Sequence, residues 1–304
     1  MQQVLIQMAA LIACGVAWRY VKPPSMSADS ARRVLTDLVY TVLLPALVLL
    51  VLWRAPLSWD ALRIAVVAAS GVLAGLAAAY LAYRLHATPK TITGTMLLAA
   101  AFPNVTYLGL PVLEKTFGPW ARSVAIQYDL FACTPLLLTV GILVARAHGE
   151  HQERGNPFTD LLKVPPLWAA VVALALNGAG VPLPAGLEEW LHTLANGVVP
   201  LMLISLGMAL TWDSHYPQRL PLVVPVLIIQ LLFMPLVAWG VAVGLGLNGD
   251  LLVATVLEAA MPCMVLGLVL CDRYRLDTSL YATAVTLSTL LSLFTLPLWY
   301  HWLR

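Results

Sequence analysis

Ten stretches of about 20 apolar residues follow one another along this chain, near 3–20, 31–53, 60–84, 90–116, 120–146, 160–179, 187–211, 219–246, 250–271 and 278–302. Only short connections separate them, which leaves no room for a soluble domain. Hydrocarbon offers no partner to a backbone N–H or C=O, so a spanning chain closes its own hydrogen bonds, and about 20 residues is the crossing length of a helix. The composition agrees: 61% of the residues are hydrophobic, 11% are charged and the mean hydropathy is +0.85. The expected fold is an all-α integral membrane protein of ten transmembrane helices. A net charge of +2 gives no basis for binding nucleic acid. The first stretch resembles a signal peptide in length, but Met1-Gln-Gln carries no basic residue and no small-residue cleavage site precedes Arg19, so it is expected to be the first span.

Lysine and arginine set the expected orientation. With the N-terminus outside, twelve of the seventeen face the cytoplasm, and Arg54, Arg63, Lys115, Arg122 and Arg304 face the other side. The positive-inside rule then puts both termini outside and the 147–159 connection in the cytoplasm of a cell inner (plasma) membrane protein. Trp53, Trp59, Trp120, Trp190, Trp212, Trp299 and Trp302 fall near span ends, as interfacial anchors do. Cys14, Cys133, Cys263 and Cys271 lie in or beside apolar spans with no C-x-x-C spacing and read as small buried hydrophobes, with no structural metal or disulfide framework implied.

The fourth span is interrupted by Ala101-Phe-Pro-Asn-Val-Thr-Tyr-Leu-Gly-Leu-Pro-Val-Leu113. Pro103 has no N–H and its ring clashes with the carbonyl four residues back, so a polar backbone group is freed inside the bilayer. That is tolerated where protein or a wet cavity surrounds it. The interruption has an echo. Val42-Leu-Leu-Pro45-Ala-Leu recurs as Gly197-Val-Val-Pro200-Leu-Met 155 residues on, and Pro103 recurs as Ala259-Ala-Met-Pro262-Cys263 159 residues on. Two units of five spans have opposite orientations because five is odd. Paired broken helices in an inverted 5+5 repeat point to a midplane binding site.

The run Pro103-Asn104-Val-Thr-Tyr-Leu-Gly109-Leu-Pro111, with Ala260-Met-Pro262 and the Thr286–Ser292 helix that ends near Pro297, resembles the auxin efflux carrier family over nearly the whole chain. The resemblance implies a bile acid/sodium symporter-like fold of the elevator type. It implies a scaffold domain of spans 1, 2, 6 and 7 (1–57 and 158–213) beside a transport domain of spans 3–5 and 8–10 (58–147 and 214–304), crossed broken helices in spans 4 and 9, and a homodimer through spans 2 and 7. The short polar stretch from His148 to Pro157 replaces the long central loop of plant members, and Cys263 stands where those carriers have a polar side chain. The expected substrate class is therefore small organic carboxylate anions in general.

Asn104 is the leading binding residue. Its amide can donate to a carboxylate oxygen, and half-helix N-termini add positive dipole ends. Pro103, Val105, Pro262 and Cys263 line the two breaks, and Tyr107, Gln127 and Tyr128 are candidate pocket walls. Glu258, one turn before Pro262, resembles the glutamate that helps hold sodium in the related bile acid symporters. With Asp129, Thr134 and Asn104 it forms the expected ion-coupling set for H⁺ or Na⁺, with a possible Na⁺ held by Glu258 and Asn104. A carboxylate repels an anionic substrate in low dielectric, and neutralising it with a proton or Na⁺ removes that repulsion, which couples the two. Thr286, Thr289 and Ser292 share a face of the last span that lines a cavity or back-bonds to the preceding turn. Gly71-x-x-x-Gly75 and Gly240-x-x-x-Gly244 read as close-packing positions.

Gly244-Leu-Gly246-Leu-Asn-Gly249 matches a dinucleotide pattern but closes an apolar span, and His148-Gly-Glu-His151 is a short polar stretch. Three functions stay open on the sequence: a secondary active transporter, directed outward; a transporter-derived channel or sensor; and an intramembrane enzyme, which lacks a recognisable nucleophile or metal motif.

Overall fold

A computed structural model describes residues 2–21, 26–55, 59–85, 88–149, 162, 164–210 and 216–304, without the side chains of 2–5 and 216–218. Lys22, Arg154, Lys163, Trp212, His151 and most of the 147–159 connection lie outside the described residues. Every described element is a helix: α1 Gln2–Val21, α2 Ala28–Leu52, α3 Trp59–Leu85, α4 Lys90–Ala101, α5 105–117, α6 Ala121–His148, α7 Pro165–Gly178, α8 Ala185–Ala195, α9 Val198–Ala209, α10 216–244, α11 Gly249–Ala259, α12 Gly267–Arg273 and α13 Thr278–Leu303. Six are long and apolar enough to cross a membrane, with α8 and α9 taken together as one; α1 and α7 supply shorter apolar helices. The fourth and ninth expected spans are each two shorter helices, α4/α5 and α11/α12.

Proline accounts for most of the irregular helix. Four π-turns, Val39–Leu43, Val105–Gly109, Asp129–Cys133 and Ile229–Phe233, end two residues before Pro45, Pro111, Pro135 and Pro235. In each the next residue's N–H reaches back five positions, as from Leu44 to Val39 and from Met234 to Ile229. The extra residue carries the chain past the proline without ending the helix. The carbonyl that Pro235 leaves without its helical donor, Leu231, accepts the Trp299 indole N–H at 2.8 Å. Trp299 is thus a buried brace and not the interfacial anchor its position suggested, whereas Trp59, Trp120, Trp190 and Trp302 are exposed as anchors should be.

Two groups of helices form. In one, α1 packs on α9, and α7 and α8 pack on the second half of α2. The α1–α9 crossing is backbone-tight: a Cβ on Gly15 would lie 2.1 Å from the Ile204 carbonyl oxygen, and one on Gly207 would lie 1.9 Å from that of Ile12. Arg19 donates to the Met208 carbonyl (2.6 Å) and pairs with Asp29 (2.6 Å), and Asn177 caps the end of α2 by donating to Leu52 (2.8 Å) and Ala55 (2.6 Å). In the other group α3 packs on α4 and α10, and α10 on α11. Gly75 is needed there, since a Cβ would fall 2.7 Å from Met234 Sδ and 3.1 Å from the Ala100 carbonyl. Gly240 and Gly244 have open space where a Cβ would go, so the packing role expected of that second pair is absent. Cys133, Cys263 and Cys271 are buried, whereas Cys14 is exposed, a correction to its reading as a buried hydrophobe; all four are free thiols.

Candidate functional site

The two breaks meet. Pro103 and Cys263 form an antiparallel pair in which the Asn104 N–H donates to the Pro262 carbonyl (2.7 Å) and the Met264 N–H to the Phe102 carbonyl (2.9 Å). Residues 160 positions apart thus satisfy backbone groups that the two breaks leave outside any helix. The Asn104 carbonyl accepts from Leu108 and Gly109 and starts α5, so Asn104 stands at the N-terminal, electropositive end of that half-helix.

Asn104 is fully buried, and neither atom of its amide has a hydrogen-bond partner. A buried polar group left unpaired costs ~1–3 kcal/mol, so the amide stands ready for a partner of its own. Glu258 is likewise fully buried with both carboxyl oxygens unpartnered. Its carboxyl rests on the backbone of Gly109, where a Cβ would lie 2.0 Å from Oε2. Only glycine leaves that room. The Glu258 carbonyl, which Pro262 deprives of its helical donor, is taken by the Met261 N–H at 3.3 Å.

Asp129 is the opposite case. It sits on the α6 π-turn and accepts from the Thr134 hydroxyl (2.9 Å) and from the Thr106 hydroxyl, so both oxygens are occupied. Asn104, Thr106, Tyr107, Asp129 and Thr134 line one cavity with Val39, Tyr40, Leu44, Met202, Met264 and Leu266. It leaves about 20 Å³ for the centre of a water molecule, room for about one water and none for an organic acid.

Of the sequence candidates, Asn104, Tyr107, Asp129 and Thr134 share the cavity, and Pro103, Val105, Pro262 and Cys263 form the fully buried backbone crossing beside it. Gln127 and Tyr128 are buried but are not among the residues lining that cavity; the Tyr128 hydroxyl, unpartnered, points toward Gly71. Thr283, Thr286 and Ser292 bond to carbonyls of their own helix, whereas the buried Thr289 hydroxyl has no partner. Ser288 also reaches across, accepting the Cys263 N–H at 3.1 Å. Thr106, Tyr40 and Gln230 were not singled out from sequence. Thr106 lay in plain sight inside the fourth-span motif. Tyr40 and Gln230 carry no local signal beyond a polar group in an apolar span.

A model of the family described as "Membrane transport protein" matches residues 4–300. The chain belongs to this family, that of the auxin efflux carriers. An uncharacterized transporter of Methanothermobacter thermautotrophicus is 34% identical, covering 87% of each chain. Uncharacterized transporter YfdV of Escherichia coli is 22% identical over 67% of this chain and 66% of its own. Probable auxin efflux carrier component 9 of Oryza sativa subsp. japonica is 26% identical over 44% of this chain and 32% of its own. As a member of the family the chain is a multi-pass membrane transporter and not an enzyme, and the crossing at Pro103 and Cys263 is its most distinctive internal feature.

Proposed function

We propose that this transporter carries small organic carboxylate anions outward by an elevator movement coupled to H⁺ or Na⁺. The observation that carries the reading is the unpartnered Asn104 amide at the N-terminal end of α5, in a cavity lined by Val39, Tyr40, Leu44 and Met202 of α2 and α9 on one side and by Asn104, Thr106, Asp129 and Met264 of the two breaks, α5 and α6 on the other. An amide donor and a positive helix end suit a carboxylate, and a site shared by two bodies opens when one slides along the other. Ten spans form an inverted repeat, with 1–57 and 158–213 as scaffold and 58–147 and 214–304 as the moving part. Glu258 is the coupling group: charged, it repels the anion; neutralised by a proton or Na⁺, it does not. The outward ridge Val34, Leu38 and Val42 on α2 is the surface for a homodimer in the cell membrane.

Solid-supported-membrane electrophysiology and counterflow on proteoliposomes test this with malonate, malate, succinate and indole-3-acetate, with and without Na⁺ at two pH values. A saturable signal accelerated by substrate on the trans side, and lost in Asn104→Ala, is expected. Uptake without trans-acceleration assigns a channel, and no saturable signal from any carboxylate removes this substrate class.

A further inference from the structure

We infer that Gln230 is the positioning residue of this site, holding the second break in the geometry that orients Asn104. The inference rests on the reading above that Asn104 meets the substrate. Gln230 is fully buried on the Ile229–Phe233 π-turn of α10, in a stretch, 220–244, whose other residues are apolar. Its Nε2–H donates to the Met261 carbonyl at 2.9 Å. That acceptor settles the orientation of the amide, since a carbonyl takes only a donor.

Met261 is the residue before Pro262, and its carbonyl lies at the end of α11, where the helix offers it no partner. The next carbonyl, Pro262, accepts the Asn104 N–H at 2.7 Å. The Met261 N–H in turn donates to the Glu258 backbone carbonyl. One side chain from α10, whose own Oε1 is buried without a partner, therefore fixes the peptide that lies between two groups with unpaired side chains at the breaks, Asn104 and Glu258. The π-turn that Pro235 imposes is part of the device: one inserted residue rotates the helix before it by about 100° relative to the helix after it. The same turn is locked from its other side by Trp299 on Leu231.

A residue that merely fills space is replaced without loss by one of similar volume; a donor to a buried carbonyl is not. In proteoliposomes, Gln230→Leu is expected to raise the counterflow KM or lower its rate about tenfold or more, the scale of a buried carbonyl left unpaired. Gln230→Glu has a donor only while its carboxyl is neutral. At symmetrical pH of about 4, just below the ordinary glutamate value of about 4.3, it should run closest to wild type, and it should fall toward Gln230→Leu as pH rises, each rate taken relative to wild type at that pH. A substrate-independent reading goes alongside: with Cys14, Cys133 and Cys271 replaced by alanine, N-ethylmaleimide should label buried Cys263 at least tenfold faster in Gln230→Leu. Unchanged labelling and counterflow in Gln230→Leu, or a Gln230→Glu variant as impaired as Gln230→Leu at acid pH, overturn the assignment. Absence of counterflow in wild type overturns the carboxylate reading instead, and the labelling then decides Gln230 by itself.

Discussion

The first break and the second are built from the same backbone exchange yet finished differently. Around the second, side chains satisfy the loosened peptides one by one: Gln230 on the Met261 carbonyl, Ser288 on the Cys263 N–H and Tyr281 on the Met264 carbonyl at 2.8 Å. Its own side chain, Cys263, makes no demand for a polar partner. The first break relies on its neighbour's backbone, and Asn104 is left with a buried, unpaired amide. One break is a brace, and the other carries an open hydrogen-bonding group on that brace. A buried polar group that nothing satisfies is a standing cost of ~1–3 kcal/mol, tolerated where function requires it.

The largest effect is expected from the open side. Asn104→Ala should remove carboxylate counterflow while the purified protein melts within a few degrees of wild type, because no hydrogen bond of the side chain is lost; retained counterflow would show the two breaks to be alike in function. Glu258→Gln should keep exchange but flatten its dependence on Na⁺ or pH, and an ion dependence equal to wild type would separate Glu258 from coupling. Gly109→Ala probes the same contact from the facing backbone. Its Cβ would meet Glu258 Oε2 at 2.0 Å, so it should reproduce the flattened ion dependence with a lowered rate. On the braced side, Tyr281→Phe leaves the Met264 carbonyl without its donor and should cost ~1–3 kcal/mol of stability, read as a lower melting temperature with ion dependence intact. The smallest change belongs to Cys263→Ala, since the thiol contributes only packing: counterflow within about twofold of wild type is expected, and a large loss would mean that the second break also touches substrate.

Much of this architecture was legible in the chain. Apolar length marked where helices run, because hydrocarbon admits little else, and Pro103 and Pro262 marked where two of them fail, because a missing N–H is missing in any surroundings. Asn104 stood out as a polar residue in the break, and the motif around it carried the family. Glu258 and Asp129 looked equivalent as buried acids. Their difference, one unpartnered against Gly109 and the other held by Thr106 and Thr134, depends on what faces them across the fold.

A proline dictates locally that a carbonyl loses its helical donor, but which group takes that carbonyl is settled by helices far away in sequence. Trp299 on Leu231 is such a partner, 68 residues distant, and Gln230, 31 residues from the Met261 carbonyl it serves beyond the end of α11, is a like choice; neither is visible in a hydropathy pattern. The same holds for the pairing of Pro103 with Cys263. Periodicity and proline act over a turn or two of helix and so can be read from the chain; hydrogen-bond partners are chosen by packing, which exists only once the helices have come together.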